Sequence, residues 1–155
     1  MRLATNSDVG FHNLSGTRDV LYSGQEITVA SLYSIIPFDN KVKTAVLSGS
    51  QIKSFMTTGH GSFGDIKDGV TFENNQFYKV ATNDYIFDQP TNPFIYASNQ
   101  TDTGILLRDV LETAIRYQAG VYDFFLLDNP LVIGTNSQNH IFYMEQKKEL
   151  FQIYL

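Results

Sequence analysis

The strongest constraint on the fold of this 155-residue chain is the irregular alternation of short strand-like and short helix-like segments. Runs of apolar and β-branched residues typical of strands occur at Asp8–Phe11, Val42–Leu47, Phe124–Leu127 and Ile141–Met144, and two adjacent runs within Val70–Ala81 predict a β-hairpin. Helix-like segments separate these runs without the regular repeat of a doubly wound parallel sheet. The sequence therefore predicts an α+β fold in which helices pack on a mixed β-sheet.

Three helices are predicted from capping residues and apolar periodicity. The first spans Val29–Ile36, because a threonine precedes it and a proline follows it. The second continues to about Thr57, because Ser48 and Gln51 have the spacing of a capping box. The clearest helix is Gly104–Tyr117, in which apolar residues recur with a period of 3.6.

The remaining segments are predicted from their glycines, prolines and charges. Gly59–Gly64 and Asp88–Pro93 are expected to be loops. On the long helix, Arg108 and Glu112 are four residues apart and are predicted to pair on the polar face. Neither an internal repeat nor a linker interrupts the chain, so residues 1–155 are interpreted as a single domain.

Charge and composition exclude several classes of function. The net charge is −5 and the basic residues are scattered, which does not fit a nucleic acid polymer as partner, although one or two arginines suffice for a small nucleotide. The chain has no cysteine, which excludes disulfides, thiolate metal sites and cysteine nucleophiles. No apolar run approaches the roughly 18 residues of a membrane span, and no signal peptide is present.

No catalytic centre is recognisable from sequence motifs. His12, His60 and His140 are far apart, and none falls in a metal-ligand spacing. The carboxylates form no Asp/His cluster of the kind that holds two metal ions. Motifs for a serine nucleophile or a phosphate-binding glycine loop are also absent from the sequence.

Two aromatic residues indicate a binding function instead. Phe38 and Tyr85 each follow a predicted regular element and have polar neighbours, which favours exposed rings. Two such rings could sandwich a nucleobase, with stacking worth roughly 1–3 kcal/mol per base. The chain has 12 Phe and 9 Tyr residues, however, so this pattern alone does not distinguish a clamp from ordinary core packing.

Four segments in order carry a resemblance to a known family. Asn13, Gly16 and Arg18 have the spacing of the pattern Asn-Gly-Gly-Gly-Ile-Arg, and Pro37–Asn40 follows about twenty residues later, where that pattern continues with Pro-Phe-Gly-Asn. Leu47–Ile52 is similar to a Leu-Thr-Gly-x-x-Leu step. Tyr78–Tyr85 is similar to a Tyr-x-Val-Ala-Thr-Asn-x-Phe strand. Over residues 1 to about 94 the chain therefore resembles the 5'-nucleotidase C-terminal domain family.

The resemblance implies a role for several residues. Arg18 would contact the ribose or phosphate side of the substrate through its donor fork, and Asn13 would direct its amide toward the base. Phe38 and Tyr85 would be the stacking rings, since Tyr in place of the usual Phe keeps the aromatic face. The substrate-binding residues implied in this way are Asn13, Gly16, Arg18, Phe38, Asn40, Tyr85 and Asn92.

Two departures from the family pattern leave an alternative open. Leu14 and Ser15 replace two glycines, which removes backbone freedom near the ligand. The family's Gly-Gly-Asp-Gly-Phe, whose Asp holds the ribose hydroxyls, is replaced by Gln89–Phe94, so that Asn92 or Asp88 would substitute for the Asp. The alternative function is a degenerate, non-catalytic binding or surface-interaction domain with the same fold.

The resemblance also implies what the rest of the parent protein does. In the family, an N-terminal metallophosphoesterase domain with two divalent metal ions hydrolyses the phosphate ester, and the C-terminal domain binds the base and sugar. We therefore expect a chain truncated within its first helix, with Met1–Ala4 as the end of that helix, no cofactor of its own and no catalysis alone. The expected partners are a nucleotide or nucleoside and that N-terminal domain, in a secreted bacterial protein that is extracellular, at the cell surface or periplasmic.

Overall fold

A mixed five-stranded β-sheet is the central element of this computed structural model. The structure describes residues 1–22, 26–58, 62–122, 142–144 and 150–153. Eight strands occur within these residues: β1 (Val9–Asn13), β2 (Leu21–Tyr22), β3 (Lys41–Ser48), β4 (Ser62–Ile66), β5 (Phe77–Asn83), β6 (Ser98–Leu106), β7 (Phe142–Met144) and β8 (Leu150–Ile153). The described helices are α1 (Val29–Ile35), α2 (Gly49–Thr58), α3 (Asp84–Phe87) and α4 (Leu107–Tyr122), and short 3-10 turns occupy Leu3–Thr5, Leu14–Gly16 and Pro93–Tyr96.

The strand order in the main sheet is β4-β1-β5-β3-β6. β1 and β5 are parallel, and the other neighbouring strands are antiparallel. A small second sheet has the order β2-β8-β7 and is antiparallel. The α+β class with a mixed sheet, predicted from the sequence, is confirmed.

This topology brings three chain segments to one edge of the sheet. Because β1 and β5 are parallel, their carboxyl ends, Asn13 and Asn83, lie at the same edge. β3 runs antiparallel to β5 and pairs Val42 with Asn83, so β3 begins at that edge with Lys41. We call the edge defined by Asn13, Lys41 and Asn83 the polar edge.

Two apolar clusters cover the two faces of the sheet. On one face, α2 and the 3-10 turn at Pro93–Tyr96 bring Phe55 and Phe94 against Phe11 of β1, with ring centroids 4.9 and 6.4 Å from that of Phe11. On the other face, α1 and α4 pack over Val42 and Ala81. The second half of β5 is therefore packed on both faces, with Val80 in one cluster and Ala81 in the other.

The two short predicted helices are confirmed together with their caps. At α1, Thr28 Oγ1 accepts a hydrogen bond from the Ser31 N–H at 3.2 Å, and Ser31 Oγ accepts one from the Thr28 N–H at 3.1 Å. At α2, Gln51 Oε1 accepts from the Ser48 N–H at 2.9 Å. Both caps depend on residues three apart, so local sequence determines them. The strands predicted at Asp8–Phe11 and Val42–Leu47 are likewise present, as β1 and β3.

The β-hairpin predicted over Val70–Ala81 is wrong. Its second half forms β5, but β5 takes its ladder partners from β1 and β3, and residues 70–76 form no strand. The first half packs on β5 through side chains instead. Phe72 meets Tyr78 edge-on with ring centroids 5.0 Å apart, and Tyr78 OH donates a hydrogen bond to the Thr71 carbonyl at 2.8 Å.

The loop predicted over Gly59–Gly64 is wrong in its second half. Ser62–Ile66 forms the edge strand β4, in which Gly64 lies opposite Phe11 of β1. A Cβ at Gly64 would come within 2.8 Å of Phe11 Cε1. The glycine here permits a strand to approach a buried ring closely, which is a second use of glycine beside flexible loops.

The helix predicted over Gly104–Tyr117 begins later, at Leu107, and continues to Tyr122. Gly104 has a φ of 71°, and Leu106 pairs with Lys41, so these residues complete β6. The sequence does not predict β6, because the strand lies at the exposed side of the sheet and lacks an alternating apolar pattern.

The ion pair predicted between Arg108 and Glu112 is also wrong. Because α4 starts at Leu107, Arg108 lies in its first turn and points toward the segment between α1 and β3, where it pairs with Asp39. Glu112 pairs with Arg116 instead, at 2.7 Å.

Some predictions fall on parts of the chain that are not described. His60, His140 and the strand predicted at Phe124–Leu127 lie outside the described residues. The end of a helix predicted at Met1–Ala4 corresponds to the 3-10 turn at Leu3–Thr5.

Candidate functional site

A network of buried amides holds the polar edge together. Asn83 is fully buried. Its Nδ2 donates to Asn13 Oδ1 at 2.7 Å, and its Oδ1 accepts from the Ile86 N–H at 2.9 Å and so caps α3. Asn13 Nδ2 in turn donates to Ser15 Oγ at 2.9 Å. The side-chain amide of Asn13 is therefore held in one orientation, and the end of β1 is joined to the start of α3.

His12 lies beneath this network as a neutral, buried imidazole. Its Nε2 is 3.2 Å from Thr17 Oγ1, and its Nδ1 is 3.5 Å from Asn83 Nδ2. Because Asn83 Nδ2 can only donate, a hydrogen bond to Nδ1 requires the tautomer with its proton on Nε2. Burial lowers the pKa of His12 to about 4, so the ring is uncharged at neutral pH.

Gly16 allows the turn after β1 to close over His12. A Cβ at this position would lie 2.7 Å from His12 Cε1 and 3.1 Å from Asn13 Oδ1. Any side chain would thus force the turn away from the amide network. Gly16 acts on the site through packing, and its neighbour Leu14 is exposed.

Arg18 and Phe38 form a pair at the surface of the polar edge. The guanidinium carbon of Arg18 lies 5.3 Å from the centroid of the Phe38 ring, a cation–π distance. The Arg18 N–H donates to the Ile35 carbonyl at 2.8 Å, which fixes the backbone beside the end of α1. Phe38 is 41% exposed. The arginine occupies one side of a ring that solvent can still reach.

Asp84 connects the segment that carries Phe38 to the helix that carries Tyr85. Its Oδ1 accepts from Asn40 Nδ2 at 2.6 Å, and its Oδ2 accepts from the Lys41 N–H at 3.0 Å. Tyr85 is the next residue and is 55% exposed. One carboxylate therefore holds together the two short segments from which both aromatic rings project.

Arg108 is a residue of this region that sequence reasoning assigned to the solvent-exposed face of a helix. Its guanidinium is buried and reaches the segment of Phe38, where it donates to the Ile36 carbonyl at 2.8 Å. Only the missed strand β6 explains the error, because it displaces the start of α4 by three residues. Asn83 was also not predicted as a site residue, although it stands in the quoted strand pattern.

Asn92 is placed apart from these contacts. Its Nδ2 donates to the Ile86 carbonyl at 2.8 Å, and the residue lines a groove of about 320 Å³ beside α2. Asp88, the other residue expected to replace the family's ribose-binding Asp, pairs with Lys43 at 2.8 Å. The predicted site residues that the structure gathers at the polar edge are Asn13, Gly16, Arg18, Phe38, Asn40 and Tyr85.

The chemistry available at the polar edge is that of binding. Two partly exposed rings can stack on a planar group, an oriented amide can donate to a polar edge of that group, and an arginine can donate to hydroxyls or an anion. In the described part of the chain, no three His, Asp or Glu side chains converge to hold a metal ion. Of the helices described, none is long and apolar enough to cross a membrane.

A family model matches the first part of the chain. Residues 1–69 match the model of the family described as 5'-nucleotidase, C-terminal domain. Among curated proteins, none matches the sequence.

Solved structures share the fold at low sequence identity. A 5'-nucleotidase precursor from Thermus thermophilus matches with a TM-score of 0.54 and 16% identity, over 72% of this chain and 30% of its own. The NAD nucleotidase of Haemophilus influenzae matches with a TM-score of 0.56 and 16% identity, over 72% and 27%. A putative 5'-nucleotidase from Staphylococcus aureus, solved with alpha-ketoglutarate, matches with a TM-score of 0.54 and 12% identity, over 88% and 33%.

This chain spans about a third of the length of those solved nucleotidases. The family match, the shared fold and the four ordered motifs agree with one another. Over residues 1–69 the chain is similar to the 5'-nucleotidase C-terminal domain family, and its fold is shared with solved nucleotidases.

Proposed function

We propose that this chain is the substrate-recognition domain of a 5'-nucleotidase-type hydrolase and binds the base and ribose of a nucleotide between Phe38 and Tyr85. The observation that carries the proposal is that two partly exposed rings lie on segments joined by the Asp84 carboxylate. Two exposed rings on linked segments can both contact one planar group. Stacking on a base supplies such a contact without requiring a particular base.

In this proposal the polar groups around the rings recognise the rest of the nucleoside. The Asn13 amide has one N–H engaged by Ser15 Oγ, and its second N–H is directed to the base. Arg18 extends from the side of the Phe38 ring to the ribose or phosphate. Gly16 and Asn40 keep the two segments in place, and Asn92 contributes through the loop that follows α3.

Hydrolysis of the phosphate ester belongs, in this proposal, to an N-terminal metallophosphoesterase domain that holds two divalent metal ions. The residues described here contain no group that fits those ions. The proposal for this chain is therefore limited to binding and orienting the nucleoside. Its parent would act in nucleotide catabolism at an extracellular, cell-surface or periplasmic location. The names of the Thermus and Haemophilus nucleotidases support the reaction class.

Isothermal titration calorimetry with AMP and adenosine tests the clamp. Phe38→Ala and Tyr85→Ala should each weaken binding by about 5- to 100-fold, because each removes one stacked ring. Phe77→Ala and Tyr96→Ala are matched controls, since these rings are 69% and 75% exposed but lie outside the polar edge. Equal affinity in the wild type and both clamp variants would reject the proposal.

A degenerate binding domain is the second candidate, and one observation favours it. Both residues expected to hold the ribose hydroxyls are engaged within the protein, Asn92 with the Ile86 carbonyl and Asp88 with Lys43. A domain of this fold that had lost nucleoside recognition would show no heat of binding with millimolar AMP or adenosine. A saturable signal for either ligand excludes this alternative.

A further inference from the structure

Arg108 stands out because it is a buried arginine whose side-chain hydrogen bonds converge on one turn. The residue is 5% exposed. Its Nη1 donates to the Ile36 carbonyl at 2.8 Å and to the Phe38 carbonyl at 3.4 Å, and its Nη2 donates to Asp39 Oδ1 at 2.5 Å. The three acceptors belong to residues 36–39. A single guanidinium therefore binds the backbone on both sides of Pro37, the residue before Phe38.

Tyr33 of α1 completes the environment of this guanidinium. The Arg108 Cζ lies 3.7 Å from the centroid of the Tyr33 ring, so the planar cation stacks on the ring face. Tyr33 is itself half-exposed. The ring therefore covers the cation on its outer side, and the stacking restricts the plane in which its N–H groups point.

The ion pair with Asp39 is not the main part of this arrangement. The Asp39 side chain is 79% exposed whereas that of Arg108 is 6% exposed, and a carboxylate so accessible to water contributes little to a fixed geometry. The buried Ile36 carbonyl oxygen, at 2.8 Å, is the main acceptor that sets the backbone, and the Phe38 carbonyl oxygen adds a longer contact at 3.4 Å. A charged donor to a buried carbonyl is stronger than a neutral one.

The start of α4 thus donates hydrogen bonds to every second carbonyl of the turn from Ile36 to Asn40. Arg108 binds those of Ile36 and Phe38, and the N–H of the preceding residue, Leu107, donates to the Asn40 carbonyl at 2.8 Å. On the opposite side, Asp84 binds the Asn40 side chain. The turn that carries Phe38 is therefore held between α4 and α3.

We infer that Arg108 is a positioning residue for substrate recognition: it orients the Phe38 ring for stacking and does not touch the ligand. The inference rests on the proposed function for the stacking itself. The planar fork is essential, because a lysine offers a point charge that cannot hold two carbonyls and a carboxylate in one plane. Loss of the fork should leave the domain folded and the Phe38 ring misplaced.

A fluorescence measurement tests the positioning without any ligand. The chain contains no tryptophan, so Phe38→Trp introduces a single reporter at the ring position. Adding Arg108→Lys should shift its emission to longer wavelength and increase its quenching by acrylamide, with an unchanged far-UV circular dichroism spectrum. Arg116→Lys, an exposed arginine of the same helix paired with Glu112, is the matched control and should change neither signal.

A second variant protects this test against misfolding. Tyr33→Leu keeps Arg108 but removes the surface ring on which it stacks, and it should give a smaller shift in the same direction. Identical emission and quenching with and without these substitutions would overturn the positioning role.

A double-mutant cycle with AMP distinguishes positioning from general stability. Arg108→Lys should weaken AMP binding about tenfold in the wild-type background, which is no more than the loss of one stacked ring would cause. In the Phe38→Ala background the same substitution should have no further effect. Additive losses in the two backgrounds would show that Arg108 acts by another route and reject the inference. If Phe38→Ala binds AMP as the wild type does, the clamp itself fails, and the fluorescence result still decides the role of Arg108.

Discussion

At the scale of single residues, the site depends on side chains whose partners are distant in sequence. Asn83 is the clearest case, since it links Asn13 of β1 to the first turn of α3. From the sequence, Asn83 is one member of a strand pattern and nothing marks it as buried. Phe38 and Tyr85 were predicted as exposed rings from their polar neighbours, and their exposure agrees with that.

Replacing Asn83 with alanine is expected to destabilise the fold by about 2–4 kcal/mol. The substitution leaves Asn13 Oδ1 and the Ile86 N–H without their partner in a buried environment and removes the cap of α3. Urea denaturation followed by circular dichroism measures the change. Asn75→Ala, at an exposed turn, is the control and should stay within about 0.5 kcal/mol of the wild type.

His12 predicts how stability depends on pH. In the fold its pKa is lowered to about 4, whereas in the unfolded chain it is near the usual 6.5. As the pH falls below 6.5 the unfolded state binds a proton that the folded state does not, so stability is lost between pH 6.5 and 4, by about 3 kcal/mol in all.

The measurement is the free energy of unfolding at pH 7, 5.5 and 4 for the wild type and His12→Gln, which lacks the titrating group. Burial raises the pKa of Asp65, so this carboxyl lowers the free energy of unfolding as the pH rises above 3.8. This is opposite to the effect of His12. Its effect is common to both proteins and cancels in the comparison. Parallel pH profiles for the two proteins would contradict the account of His12.

At the scale of helices and strands, the accuracy of prediction follows the range of the interactions involved. The caps of α1 and α2 rest on residues three apart, and both were predicted. The hairpin over Val70–Ala81 failed because β5 pairs with strands that lie far away in the chain. β6 was missed because an exposed edge strand has no apolar alternation to mark it, and this one error also misdirected Arg108.

Gly49 lies in a correctly predicted helix, but the contact that requires a glycine there comes from a distant part of the chain. A Cβ at Gly49 would lie 2.2 Å from the backbone carbonyl oxygen of Glu73, which cannot move like the end of a side chain. Gly49→Ala should therefore destabilise the protein by about 2 kcal/mol or more, although alanine favours helices elsewhere. Ser54→Ala on the exposed side of α2 is the comparison. Thermal melts that place both variants at the wild-type midpoint would show that the 73–76 turn yields freely.

At the scale of the whole molecule, the proposed recognition site lies at the polar edge, where the ends of β1 and β5 meet the start of β3. The family motifs predicted most of the residues that meet there, because each motif spans a strand end and the turn after it. They could not predict the position of Asn92, since the loop that carries it departs from the family pattern. This chain covers about a third of the length of the solved nucleotidases that share its fold.

A phosphate-release assay tests the proposal that this chain binds the nucleoside and that a separate domain hydrolyses the phosphate ester. With Mg²⁺ or Mn²⁺ and AMP, the purified 155-residue chain is expected to release no phosphate above the blank, because binding and orientation alone do not activate water. Phosphate release that persists through successive purification steps and disappears in Phe38→Ala would assign hydrolysis to this chain.

The most direct test of the central claim is an NMR measurement of contacts between the chain and bound AMP. Nuclear Overhauser effects from the adenine H2 and H8 protons to the ring protons of both Phe38 and Tyr85 are expected, since a base between the two rings lies within stacking distance of each. Saturable binding of AMP without such contacts to either ring would contradict the account.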